Sequence, residues 1–230
     1  MSVFARLVEQ LADLLQPFVH ASATAAAIVL FTALVRLATH PLARAAARGQ
    51  RARTALQPRL TELRARHAGD PERLRRAVLE LHTEAKVSPF SGLLPGLLQL
   101  PAFFLLYHLF SNATIGGAPN TLLDHDLLAA PLAGHWSDAL GGGVFGGADL
   151  VYLALFAVVA VVATVNFRRA RRAAAESPVQ TGVPGQAAVG KMAPFLSFLT
   201  LVTVAVVPLA AALYVVTSTT WSAVERAMLS

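Results

Sequence analysis

The stretch FTALVRLATHPLA, residues 31–43, places an arginine inside an apolar run, and the fold can be worked out from it. Arg36 lies about one turn before the polar end of the run. A charge at the centre of a bilayer helix costs roughly 2.5–3.5 kcal/mol on insertion scales, so such residues usually have a partner or a task. A long side chain near a helix end also reaches the headgroups, and position alone leaves both interpretations open.

The composition is that of a multi-pass membrane protein. Hydrophobic residues make up 55% of the 230 residues and charged residues 14%, whereas soluble domains carry roughly 25% charged residues. The chain has no cysteine, which excludes disulfides, thiolate metal sites and a cysteine nucleophile. It also lacks a nucleophile elbow, a zinc-protease motif and a phosphate loop. We therefore expect no enzyme activity, no metal and no cofactor.

The positive charges indicate the topology. Twelve of the 19 Lys and Arg residues lie between Arg36 and Lys86 and five between Arg168 and Lys191, but none lies between 111 and 165. Basic loops mark the cytoplasmic side of a membrane protein. The fold predicted is an all-α membrane protein with five transmembrane helices, its N-terminus outside and its C-terminus inside.

The predicted segments follow from apolar runs that are long enough to cross about 30 Å of hydrocarbon. Pro41 is expected to end the first span, and Pro208 to separate the fourth span from the fifth. In order, the segments are an outer-surface amphipathic helix (1–20), the first span (21–41), a basic cytoplasmic helical hairpin (42–90), the second span (91–110), an outer loop (111–148), the third span (149–167), a basic cytoplasmic loop (168–189), the fourth span (190–207), the fifth span (208–226) and a short cytoplasmic tail (227–230).

The cytoplasmic hairpin is predicted from two apolar stripes that flank the sequence AGDPER. Gly69 suits a helix end, Asp70 an N-cap and Pro71 the first position of the next helix. Pro58 is expected to kink or interrupt the first arm. The two antiparallel arms would face each other through Leu56, Leu60 and Leu63 on one and Leu74, Val78, Leu81 and Ala85 on the other.

Polar residues inside the spans predict a hydrophilic groove. Thr32, Arg36, Thr39 and His40 share one helix face, and the spans contain no acidic residue except at their ends, where Glu225 is the nearest to Arg36. A buried cation without a counter-ion needs water, so we predict a wet, positively charged groove open to the cytoplasm. Other residues could also line this groove. Their polar groups could instead serve helix packing or bond to their own backbone, and both interpretations stay open. These residues are Gln99, Tyr214, Thr217, Ser218 and Trp221.

Four stretches of the chain resemble the YidC/Oxa membrane-protein insertases. They are FTALVRLATHPL (31–42), LQPRLTELRARHAGDPERLRRAVLELHTEAKVSPFSGLLPGLLQLPAFFLLYHL (56–109), KMAPFLSF (191–198) and VPLAAALYVVTSTTWSAVERAML (207–229). The resemblance implies a multi-pass protein of the bacterial cell membrane, in a short form without a large periplasmic domain. Such a protein guides nascent membrane proteins into the bilayer through a groove closed on the outer side.

The resemblance also assigns roles to residues. Arg36 matches the arginine of the family's groove, and Gln99 matches the glutamine of the groove. Tyr214 and its neighbours match the residues of the fifth span that contact the substrate. Val215 stands where a second aromatic residue is common in the family. The resemblance implies that the partners are nascent membrane proteins and anionic lipids, but not DNA. Through the 42–90 hairpin it also implies the Sec translocon and the ribosome or the signal-recognition targeting machinery as candidate partners. The alternatives are a small anion transporter or channel that uses Arg36 as its anion site, and a scaffold.

Overall fold

The computed structural model describes residues 2–85, 104–141, 146–176 and 192–229, and these are mainly helical. The chain divides into two compact units, one formed by residues 1–36 and 105–227 and the other by residues 37–104 and 228–230. Most of the predicted second span lies outside the described residues, but residues 104–111 are helical. The helices are α1 (Ser2–Val19), α2 (Ala23–Arg66), α3 (Pro71–Glu84), α4 (Trp136–Gly141), α5 (Gly147–Glu176), α6 (Leu199–Val206) and α7 (Leu209–Leu229).

The helix α2 continues past Pro41, the residue that is predicted to end the first span. It runs through both Pro41 and Pro58 to Arg66. Each proline lacks one backbone N–H, a local cost of about 3 kcal/mol. The sequence around both prolines is rich in Ala, Leu, Arg and Gln, which favour helix, so the turns on either side persist. Where the membrane-spanning part of α2 ends stays a prediction.

The second unit contains the predicted pair of helical arms. Leu56, Leu60 and Leu81 are buried together, and Leu63, Val78 and Ala85 pack around them. Asp70 caps α3 by accepting a hydrogen bond from the Arg73 backbone N–H at 3.0 Å, and Pro71 is the first helical residue. Leu74 is not part of the cluster. The packing of the arms follows the sequence pattern, while their cytoplasmic position stays a prediction.

The outer loop contains strands that the sequence analysis did not predict. Four strands of two residues form two antiparallel pairs, β1 (Thr114–Ile115) with β2 (Ala118–Pro119) and β3 (Asp126–Leu127) with β4 (Ala130–Pro131). Five apolar residues of this loop enter the core of the first unit and are buried there: Ile115, Leu122, Leu123, Ala130 and Leu132. The loop is therefore a packed part of the fold.

The N-terminal helix α1 packs against this loop. Glu9 accepts a hydrogen bond from the Thr121 hydroxyl at 2.5 Å, and Val8 is fully buried in the core of the first unit. The rings of Phe4 and Phe31 meet edge to face with their centroids 6.3 Å apart. The predicted helix at residues 1–20 is thus present, and its position at the outer membrane surface stays a prediction.

The first two backbone N–H groups of α7 are capped by carbonyl groups of the outer loop. Leu209 donates to the Gly134 carbonyl at 2.9 Å and Ala210 to the Leu132 carbonyl at 3.0 Å. The Tyr152 hydroxyl of α5 also donates to the Gly134 carbonyl, at 2.6 Å. These bonds satisfy donors that have no partner within their own helix, and they connect α5 and α7 to the outer loop.

The apolar helices α5 to α7 differ from the predicted boundaries in several places, and α7 extends to Leu229, into the predicted tail. α5 continues to Glu176, so the first residues of the predicted basic loop are helical. The start of the predicted fourth span is a 3₁₀-helix, Ala193–Phe198, followed by α6. The predicted break at Pro208 is confirmed, since Val207 is extended with φ −85° and ψ 156°, the conformation that a following proline favours.

Two described stretches are long and apolar enough to cross a membrane. One lies within Val3–Arg66 and the other is Gly147–Ala174, with mean hydropathies of 2.0 and 2.4 in their most apolar windows. Only 39% and 28% of the residues in these windows are buried, so most of this apolar surface faces outward, as it does toward lipid. These helices are compatible with membrane spans; the count of five and the topology stay predictions.

Candidate functional site

The side chain of Arg36 is held by Ser218, although 182 positions separate them in sequence. The Arg36 Nε–H donates to the Ser218 Oγ at 3.1 Å, and the Arg36 Nη2 donates to the same oxygen. Tyr214 lies one turn before Ser218 on the same face of α7. The bonds of Arg36 thus bring a predicted site residue of α2 into contact with one of α7.

The helical period of α7 brings its part of the site together. Tyr214, Ser218 and Trp221 recur at i, i+4 and i+7 and therefore share one face. Tyr214 and Ser218 are 4% and 5% exposed, so they meet Arg36 away from bulk solvent. The Tyr214 ring packs against Phe110 with the ring centroids 6.1 Å apart, which joins the helical segment 104–111 to the same site.

A carboxylate lies near Arg36. Glu225, on the same face of α7 as Ser218, is close enough to interact favourably with the guanidinium. Glu225 is the acidic residue that was expected to lie nearest to Arg36. The predicted site does not include it, although its i+7 spacing from Ser218 was a usable signal.

The other predicted site residues have different surroundings. The Thr32 side chain is fully buried and donates to the Ile28 carbonyl of its own helix at 2.7 Å. This bond corresponds to the alternative interpretation, in which the hydroxyl bonds to its own backbone. Thr217 and Trp221 are half-buried, and the Trp221 Nε1–H is shielded from solvent without a hydrogen-bond partner in the described structure. Gln99 lies outside the described residues. The groove roles of all these residues stay predictions.

The described residues of the site offer hydrogen bonds and positive charge. Arg36, Ser218, Tyr214 and Glu225 do not form a nucleophile–base pair of a known kind. Within the described residues, no group of three or more His, Cys, Asp or Glu side chains is arranged to hold a metal ion. What the arrangement can do is attract and orient a polar or anionic group beside an apolar helix.

Comparison with known proteins identifies the family. The 60Kd inner membrane protein family matches residues 14–230. The membrane protein insertase YidC of Paraburkholderia phytofirmans is 41% identical over 101 residues, which cover 44% of this chain and 18% of that protein. The membrane protein insertase YidC of Polynucleobacter asymbioticus is 37% identical over 101 residues, with the same coverage of 44% and 18%.

A plant-type relative matches a longer stretch. The chloroplastic inner membrane ALBINO3-like protein 2 of Chlamydomonas reinhardtii is 37% identical over 130 residues, 56% of this chain and 28% of that protein. The matched part of this chain thus spans less than a third of each of these relatives. The family match itself covers nearly the whole chain and agrees with the resemblance found in the sequence. The chain is a membrane protein and belongs to the 60Kd inner membrane protein family, the YidC/Oxa family.

Proposed function

We propose that this chain is a membrane protein insertase in which Arg36 guides the polar tail of a nascent membrane protein toward the outer side. The observation that carries this proposal is the hydrogen bonding of Arg36 to the buried Ser218 beside Tyr214. A side chain that only reached for the headgroups would gain nothing from a serine on another helix. The family match supports the same activity.

The surroundings of Arg36 strengthen its attraction for an acidic tail. Two unit charges about 4 Å apart attract by about 1 kcal/mol in bulk water and by about 4 kcal/mol at an effective dielectric constant of about 20. The difference of about 3 kcal/mol corresponds to roughly a hundredfold in occupancy. Glu225 and Arg226 act on the guanidinium with opposite signs, so the positive charge of Arg36 stays available to the tail.

The driving force comes from the substrate and the membrane. Transfer of an apolar segment from water into lipid is favourable, at roughly 25 cal/mol per Å² of apolar surface. The membrane potential favours outward movement of an acidic tail by about 2.3 kcal/mol per charge per 100 mV. The protein therefore needs to lower the barrier for the tail and has no need of a nucleotide.

The basic surface of the helical arms is proposed to receive partners. Each arginine near an anionic membrane surface contributes about 1 kcal/mol of attraction, and the same surface would receive the ribosome, the targeting machinery or the Sec translocon during delivery of substrates. Its exposed arginines are Arg44, Arg48, Arg51, Arg59, Arg66, Arg73, Arg75 and Arg76.

The test is insertion of a single-span protein with a short acidic N-terminal tail in insertase-depleted cells. The cells would carry the wild-type chain, Arg36→Lys or Arg36→Ala, each at equal folded abundance. We expect insertion with Lys at position 36 and its loss with Ala, because Lys keeps the charge. Equal insertion by the Ala variant would refute the role of the charge. Failure of the wild type would refute the insertase assignment for this substrate and favour the anion transporter.

A further inference from the structure

Two hairpin turns in the outer loop differ in the residues that they place at positive φ. The β1–β2 turn uses Gly116 and Gly117, with φ of 62° and 85°. The β3–β4 turn also has two residues, and its first, Leu128, has φ of 57°. Two-residue hairpin turns need positive φ at this position, which favours glycine because it has no Cβ. Leucine there is a conformational outlier.

The side chain of Leu128 contributes little to the fold itself. It is 73% exposed, among the most exposed of the large apolar residues that the structure describes. Its neighbours along the strands, Leu127 and Ala130, do pack into or against the core. A glycine would adopt this backbone conformation with less strain, and the exposed leucine side chain adds little to the packing of the core. Contact with something outside the described chain accounts for it best.

The turn lies at the start of a candidate span. A Cβ added to Gly147, the first residue of α5, would come within 2.7 Å of the Ala129 Cβ, so the turn and the helix start are in close contact. From there an exposed apolar stripe runs along α5 at helical spacing. Its members are Leu150, Leu153, Val158, Val161 and Val165.

We propose that Leu128 inserts into the acyl-chain region of the outer leaflet and anchors the outer loop to the membrane. Lipid is the occupant because Leu128 continues an apolar stripe that already faces outward from a candidate span. The exposed Asp124 and Asp126 of the same loop would stay on the water side. The proposal rests on the membrane-spanning position of α5.

The absence of cysteine makes a direct test simple. A single cysteine at position 128 carries a nitroxide label in the full chain, reconstituted into nanodiscs of phosphatidylethanolamine and phosphatidylglycerol, where both faces meet the buffer. Val161→Cys, on the apolar stripe of α5, is the lipid control. Ala118→Cys, exposed in the other hairpin, is the water control. The readout is the ratio of label accessibility to oxygen, which concentrates in lipid, over accessibility to a water-soluble nickel chelate.

We expect the ratio at 128 to approach that at 161 and to exceed that at 118 several-fold. A ratio at 128 equal to that at 118, with 161 in lipid, would overturn the anchor alone. Protection of the 128 label from both reagents would also overturn it, since a protein would then cover the turn. A label at 161 that is accessible to the nickel chelate would overturn the spanning position of α5 and the anchor with it.

Discussion

Replacing Ser218 by Ala tests whether the contact with Arg36 holds the site together. The hydroxyl accepts hydrogen bonds from two nitrogens of the guanidinium, and Ser218 is 5% exposed. A hydrogen bond to a charged group contributes about 1.5–3 kcal/mol net, and its loss inside a protein is not replaced by water. We therefore expect Ser218→Ala to lower the free energy of unfolding by about 2 kcal/mol.

A double-mutant cycle separates this contact from the other effects of the substitution. Arg36→Met keeps an apolar stem without the charge, and unfolding is followed in mixed micelles of mild detergent and dodecyl sulfate. The coupling between Arg36→Met and Ser218→Ala should be about 1–3 kcal/mol. Thr219→Ala is the matched control, because the Thr219 hydroxyl donates within its own helix to Val215. Additive effects of the Arg36 and Ser218 substitutions would contradict the hydrogen bond.

Two further predictions concern the helical arms and the outer loop. Leu81→Ala should lower the stability of the helical arms by about 2 kcal/mol, which is at the low end for buried leucines because the leucine cluster is small. Leu79→Ala, at a position 54% exposed, should change this stability little. Hydrogen exchange of the backbone amides of α3 measures both effects. The backbone N–H of His135, which donates to the Asp138 carboxylate at 2.9 Å, is the main cause that lowers the pKa of that group. The stabilising effect of this hydrogen bond to the ionised Asp138 is therefore present at neutral pH and lost as the pH falls below about 4. The midpoint of thermal unfolding should then fall more on acidification in the wild type than in Asp138→Asn.

The local features of the fold could be predicted because each has a short-range physical signature. Asp70 and Pro71 are an N-cap and a first helical residue, and they serve as such in the structure. The break before Pro208 follows from the restriction that proline imposes on Val207. Pro41 shows the limit of such rules: a proline disfavours a helix interior, but strong helix formers on both sides decided the outcome.

The long-range features could not be predicted in the same way. Arg36 and Ser218 were both candidates, but nothing in a single sequence states that residues so far apart form a hydrogen bond. The strands β1 to β4 have two residues each, too few for an alternating pattern to register. The glycine pair at 116 and 117 is a local signal of a hairpin turn.

The carbonyl groups of Leu132 and Gly134 have a consequence for mutational studies of this chain. Because main-chain atoms cap α7, no side-chain substitution at these two positions deletes the caps. The cost of Leu132→Ala would report the loss of a fully buried side chain and not the loss of a cap. A deletion or insertion in the loop would behave differently, since it would move the carbonyl groups out of phase with the helix. The two caps thus tie the start of α7, the helix that carries Ser218, to the length and path of the outer loop.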